Sequence, residues 1–377
     1  ENEELLFELN LLIQKEGKKR GGFSGIHSGQ ISNNEIPDIN STRLILLAAQ
    51  YHHKRGSESS EAMKWIKECL RNKGGSPRQY KNSLLFLAPD EKNLSSLLSS
   101  LAERKAWQTI KDEKIRLNLT ATQEIQTEQK IKKAEDTINF RLPETWSHLI
   151  APYQEKPGIN ESIFEEKKLN SGVGSLAERS FTKSIQEELI YQKLGAMILL
   201  DKLNNFLWED KQHIVVRELI EWCQKYLYLP RISSYEVIIE ALQNTRAADN
   251  GEATFYLADK YDEISKKYSG LRPQFKKGYS LTLDSYIIKK EVADLHKEEK
   301  VDPLTPVKEP TNPDPLINPE PTTTVGPKLE AKNFRGTLKL DPTNASLRTS
   351  RFMSEVMSHL QALPDSEVDM TLEIHVK

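Results

Sequence analysis

Two short runs bring cationic side chains to places where an anion could be held. In the stretch from Lys73 to Ile110, KGGSPRQYKNSLLFLAPDEKNLSSLLSSLAERKAWQTI, a Gly-Gly-Ser-Pro turn delivers Arg78, with Tyr80 and Lys81 beside it, to the start of an apolar segment at Leu84–Leu87. The second run holds Lys266, Lys267, Arg272, Lys276 and Lys277, with Tyr268 and Phe275 interleaved, and Arg231 precedes it at a Leu-Pro-Arg turn. A guanidinium at a sheet edge can grip a phosphate through two parallel N–H bonds, and it can equally close an ion pair inside the fold. Both readings stand for Arg78. The residues that would contact a phosphate of nucleic acid or nucleotide are therefore Arg78, Lys81, Arg231, Lys266, Lys267, Arg272, Lys276 and Lys277.

Other chemistries lack their residues. A phosphate loop needs Gly-x-x-x-x-Gly-Lys-Ser/Thr between a strand and a helix. The glycines at Gly21–Gly25 have no such lysine and hydroxyl after them, and they read as a flexible approach to the sheet. LLFLAPDE (84–91) resembles a magnesium-binding strand end, but Ala88-Pro89 separate its acids from the strand, and Asp90 is better placed to cap the next helix. His52 and His53 are adjacent and so diverge on any regular element, while His27, His148 and His213 are isolated; they read as structural or surface histidines, and no metal ligand is assigned. Cys69 and Cys223 lie inside helical patterns with no partner spacing, which predicts buried, reduced thiols. No nucleophile-elbow motif is present, and a metal-dependent nuclease would need acidic clusters the sequence lacks. No catalytic or nucleotide-binding residue and no cofactor follow for this chain.

The elements that would position the cations can be read from periodicity. A helix ends near residue 16. Thr42–Ala49 and Leu84–Leu87 are continuous apolar strands joined by a helix over 58–72, a parallel βαβ unit covered on both faces. Helices follow from Asp90 to Phe140 with a break at Asn118–Thr120, the second reading as a solvated helix, or else a coiled-coil arm or partner surface, because lysine and glutamate dominate it. Arg141–Tyr153 returns to the core through Trp146, Leu149 and Ile150. The chain thus reads as mixed α/β and helix-rich: an α/β domain over 1–154, a connection over 155–175, and a helical domain over 176–297. In the last, one long helix (176–207), helices at 215–226 and 234–243 and a strand at 254–257 outline a winged helix-turn-helix. Its presumed recognition helix, SSYEVIIEALQN, carries Glu236 and Glu240 and no cation, so DNA binding and protein docking both remain open. Residues 298–330 hold eight of the 18 prolines and read as an extended linker; 331–377 read as a small tethered β-α-β module, cut short.

Composition narrows the partners. A net charge of −2 over 377 residues gives no global field for nucleic acid or membrane. No apolar run approaches the ~20 residues of a membrane span, and a cytoplasmic location is expected. The first residue is Glu1 within a helical pattern and the last lies within a strand, which suggests a piece of a longer protein.

Several stretches carry a likeness: STRLILLAAQYHH (41–53), GGSPRQYKNSLLFLAPD (74–90), LAERKAWQTI through RLPETWSHLIAPYQ (101–154), YLYLPRISSYEVIIEAL (226–242) with YDEISKKYSGLRP after it, and FRGTLKLDP to VDMTLEIHV at the end. In this order they resemble the C-terminal half of the bacterial and archaeal AAA+ ATPases known as domain of unknown function 499, encoded beside DNA methyltransferases in anti-phage clusters. The resemblance implies a P-loop ATPase part N-terminal to this region, with ATP and magnesium bound by that parent protein. It implies a regulatory or interaction role here, coupling nucleotide state to DNA or to the methyltransferase. The alternative is a stand-alone binding scaffold with a winged helix and no enzymology.

Overall fold

Alternation of side chains along two adjacent strands organises the first half of the molecule. Leu44 and Leu46 of β2 (Arg43–Leu47) enter one apolar layer with Leu85 and Leu87 of β5 (Leu84–Pro89), while Ile45 and Leu47 enter the opposite layer with Leu84 and Phe86. A strand buried on both faces is what a parallel sheet requires. The computed structural model describes residues 2–18, 21–30, 32–158, 162–243, 253–274 and 280–298. These residues are mixed α/β and fall in one compact unit, Glu1–Thr305.

The first sheet runs β1-β2-β5-β6-β7. β1 (Gly25–Gln30), β2 and β5 are parallel; β6 (Trp146–Tyr153) and β7 (Ile163–Lys168) extend it antiparallel. One face is covered by α1 (Asn2–Glu16), α3 (Glu91–Asp112), α4 (Ala121–Thr145) and α5 (Leu176–Gln186), through Leu9, Leu97, Ile138 and Leu176 among others. The other is covered by α2 (Glu61–Arg71), through Met63, Ile66 and Cys69. The helix starts follow from sequence. Ser60 caps α2, Asp90 caps α3, and Thr120 with Gln123 forms a reciprocal capping box on α4. Between α2 and β5 the two-residue strands β3 (Asn72–Lys73) and β4 (Ser76–Pro77) pair around Gly74, whose φ of +57° suits glycine.

The second half packs α6 (Ala196–Lys202), which runs on into a π-turn at 203–207, with α7 (Val216–Lys225) and α8 (Glu236–Gln243) over one face of a four-stranded antiparallel sheet. That sheet orders β12 (Arg272–Pro273), β9 (Phe255–Ala258), β13 (Tyr286–Lys289) and β8 (His213–Val215). A hairpin of β10 (Lys260–Asp262) and β11 (Lys267–Ser269) projects between β9 and β12, and α9 (Lys290–Glu298) follows β13.

Four expectations change. The glycine-rich approach contains β1, with Gly29 at φ +67° beside a register shift. The connection over 155–175 contains β7, which pairs with β6 along six residues. The single helix over 176–207 is broken: Glu188 turns through a positive φ of 57°, so that Leu189, Ile190 and Leu194 reach the two cores. And α4 is no fully solvated rod, because Ile131, Ala134, Ile138 and Leu142 form a buried stripe at helical spacing. The 298–330 linker, beyond Glu298 at the end of α9, and the 331–377 module lie outside the described residues. Among the described residues no helix is long and apolar enough to cross a membrane.

Candidate functional site

The parallel strands end on the side of the sheet where α/β proteins place their working groups. There β2 leads into a loop carrying His53, and β5 ends at Asp90. His53 is fastened to the end of β5: its N–H donates to the Pro89 carbonyl (2.8 Å), and its own carbonyl accepts from the Glu91 N–H (3.0 Å). The antiparallel strands bring two more groups. His148 on β6 lies opposite Lys168 of β7, and Glu166 lies opposite Ile150, so His148 and Glu166 are diagonal neighbours on the α2 face.

These four side chains converge. Glu166 Oε1 is 2.7 Å from His148 Nδ1, and Glu166 Oε2 is 3.3 Å from His53 Nε2. The far nitrogens are also held: His148 Nε2 lies 3.1 Å from Asp90 Oδ2, and His53 Nδ1 lies 2.7 Å from Ser60 Oγ. The rings meet edge to face with centroids 5.0 Å apart. The Gly56 N–H also donates to Glu166 Oε2 (3.2 Å). Both histidines are buried, at 2% and 5% exposure.

The electrostatics favour neutral His53 and ionised acids. Burial drives the His53 pKa down, against the pull of Glu166. Burial alone would raise the Glu166 pKa, but hydrogen bonds from His148, Gly56 and His53 outweigh it and hold the carboxyl below its ordinary range. Asp90 is likewise lowered: the Asn93 N–H and His148 outweigh its desolvation. His53 and Glu166 line a cavity of about 670 Å³ together with Lys67, Arg71 and Lys81. Two imidazoles and a carboxylate can relay a proton or serve as three ligands for a divalent transition metal.

The arginines expected to offer themselves to phosphate are instead structural. Arg78 is 2% exposed; its Nε donates to the Cys69 carbonyl in the last turn of α2 (2.7 Å), and its other nitrogens donate to the carbonyls of Asn33, Ile36 and Pro37. Arg231 is buried and donates to the carbonyls of Asn82 (2.8 Å), Leu189 (2.9 Å) and Pro152 (2.7 Å), joining the two halves. Arg272, 4% exposed, donates to Asp259 and the Gly270 carbonyl. A phosphate would have to displace these partners. Lys81 is half-buried on the cavity wall. Lys266 and Lys267 are exposed at the β10–β11 hairpin. Lys276 and Lys277 lie outside the described residues. The structure does not bring the six described residues of this set to one surface patch.

Sequence reasoning missed the histidine cluster because its members lie far apart in the chain, at 53, 90, 148 and 166. The available signal was local: Asp90 directly follows an apolar strand, and His53 lies in the loop after another, on the side where a parallel sheet exposes its ends. No protein-family model, no curated protein and no solved structure matches this chain.

Proposed function

We propose that this chain is the regulatory and interaction region of an AAA+-type ATPase, and that it docks a partner protein rather than DNA. The collinear stretches quoted above support the ATPase connection, in which ATP and magnesium belong to the parent protein and the DNA methyltransferase of the same cluster is the partner. The strand–helix–helix–strand–hairpin–strand–strand connectivity from β8 to β13, with β13 between β8 and β9, supports a winged-helix reading of the second half.

One observation carries the choice of partner. In a winged helix the second helix of the pair reads the ligand, and here α8 exposes Glu236, Glu240 and Gln243, with Tyr235 just before them, and presents no cation. Two carboxylates facing a phosphate backbone would repel it. An acidic face with an exposed tyrosine suits a basic protein surface. The hairpin does not reverse this, because Lys260, Lys266 and Lys267 share it with Asp262 and Glu263.

Charge reversal tests the reading. Glu236→Lys with Glu240→Lys should weaken retention of the purified methyltransferase about tenfold or more while leaving the circular dichroism unchanged. If the double variant instead held the methyltransferase as wild type does, α8 would not be the docking face.

A further inference from the structure

We propose that His53, His148 and Glu166 form a three-ligand site for a tetrahedral divalent cation of the zinc type, with the fourth position turned toward the adjoining cavity. This inference is independent of the docking reading.

One nitrogen of each histidine and one Glu166 oxygen lie within 4.8 Å of one another, and the nitrogens that face Glu166 are His53 Nε2 and His148 Nδ1. Zinc–nitrogen and zinc–oxygen bonds of about 2.0–2.1 Å place neighbouring ligand atoms of a tetrahedron roughly 3.3 Å apart. His53 Nε2 and Glu166 Oε2 stand at 3.3 Å. His148 Nδ1 stands 2.7 Å from the other oxygen, Oε1, so the carboxylate must turn to set one oxygen roughly 3.3 Å from both nitrogens when a metal replaces the proton between them. A glutamate side chain on an edge strand can supply that movement by rotation.

The second observation is the outer shell. A metal-bound histidine turns one nitrogen to the ion and gives its other N–H to a carboxylate, carbonyl or hydroxyl, which fixes ring and tautomer. His148 Nε2 faces Asp90 and His53 Nδ1 faces Ser60, so each far nitrogen has such a partner, and on metal binding the His53 proton moves to Nδ1 and is given to Ser60. Asp90 and Ser60 are in turn fixed, because each caps a helix: Asp90 accepts from the Asn93 N–H and Ser60 from the Met63 N–H. The sheet, two helix starts and the His53 backbone bridge to β5 therefore preset both rings. A set of two histidines and one glutamate leaves a tetrahedral ion one open position. His53 and Glu166 border the cavity, whose wall also carries Lys67, Arg71 and Lys81. The ligand class this favours at the open position is a water molecule or an anionic oxygen.

Zinc titrated calorimetrically into the metal-stripped full chain should bind with one-to-one stoichiometry. Cobalt at the same site should give the intense visible absorption of a tetrahedral ion. Glu166→Gln and His53→Gln should abolish that band. Asp90→Asn keeps a competent helix cap but removes the carboxylate behind His148, and should weaken zinc about 10–100-fold with unchanged circular dichroism. Absence of saturable zinc uptake by the wild-type chain, a weak octahedral cobalt spectrum, or wild-type affinity in Asp90→Asn and Glu166→Gln would overturn the assignment.

Discussion

His27 on β1 is kept neutral by its surroundings. Its Nε2 lies 3.0 Å from Arg43 Nη1, and a guanidinium can only donate, so the imidazole nitrogen accepts. Burial, then the charges of Arg43 and Arg78, push its pKa down to about 4. In the unfolded chain it titrates near 6.5. Between those values the unfolded state takes up a proton that the folded state refuses, so stability falls as pH drops from about 6.5 toward 4. His53 and His213, also lowered by burial, act in the same direction. His27→Gln, which keeps an acceptor, should flatten the pH dependence of the unfolding free energy in this window; an unchanged slope would show that His27 is already protonated in the fold. Cys69 and Cys223 are free and buried, with burial raising their thiols to about 11 and about 12. A thiol reagent should therefore label neither until the chain unfolds. The cysteines were legible from sequence as inert, since each lies inside a helical pattern with no partner spacing. The arginines were not: a guanidinium beside a turn looks the same in sequence whether it faces solvent or a ring of carbonyls.

Between elements, the decisive contacts are made by backbone carbonyls that no local pattern reveals. Arg231, in the turn between α7 and α8, satisfies three buried carbonyls from three separate segments, and Asn82 donates to the carbonyls of Cys223 and Leu229 from the other side. Each buried acceptor left without a donor costs about 1–3 kcal/mol. Arg231→Met should therefore destabilise the fold by about 3 kcal/mol or more, read by denaturant unfolding, and Arg231→Lys should recover only part of it, because an ammonium cannot span the same fork. A cost below about 1 kcal/mol would mean that water replaces the guanidinium. The strands β2 and β5 and the capped helices announce themselves in sequence, because continuous apolar runs and Ser, Asp or Thr caps are local signals. β7 does not. Its residues IFEEKK lie on a half-exposed edge, so lysine and glutamate mask a strand whose only apolar marks are Ile163 and Phe164. Missing β7 also removed Glu166 from view, and with it the reason His53 and His148 belong together.

Across the whole described molecule, the mixed α/β architecture could be anticipated from periodicity alone, whereas the direction a binding surface faces depends on which side of α8 is buried. Val237, Ile238, Ala241 and Leu242 turn inward, which leaves the acidic side outward. That orientation is what the proposed docking role rests on. The most direct measurement is a paired titration of the chain with duplex DNA and with the purified methyltransferase across a salt series. The account predicts saturable binding of the methyltransferase, weakened by Glu236→Lys with Glu240→Lys, and no DNA binding even at low salt. DNA binding whose affinity falls steeply with salt, with no retention of the methyltransferase, would contradict it.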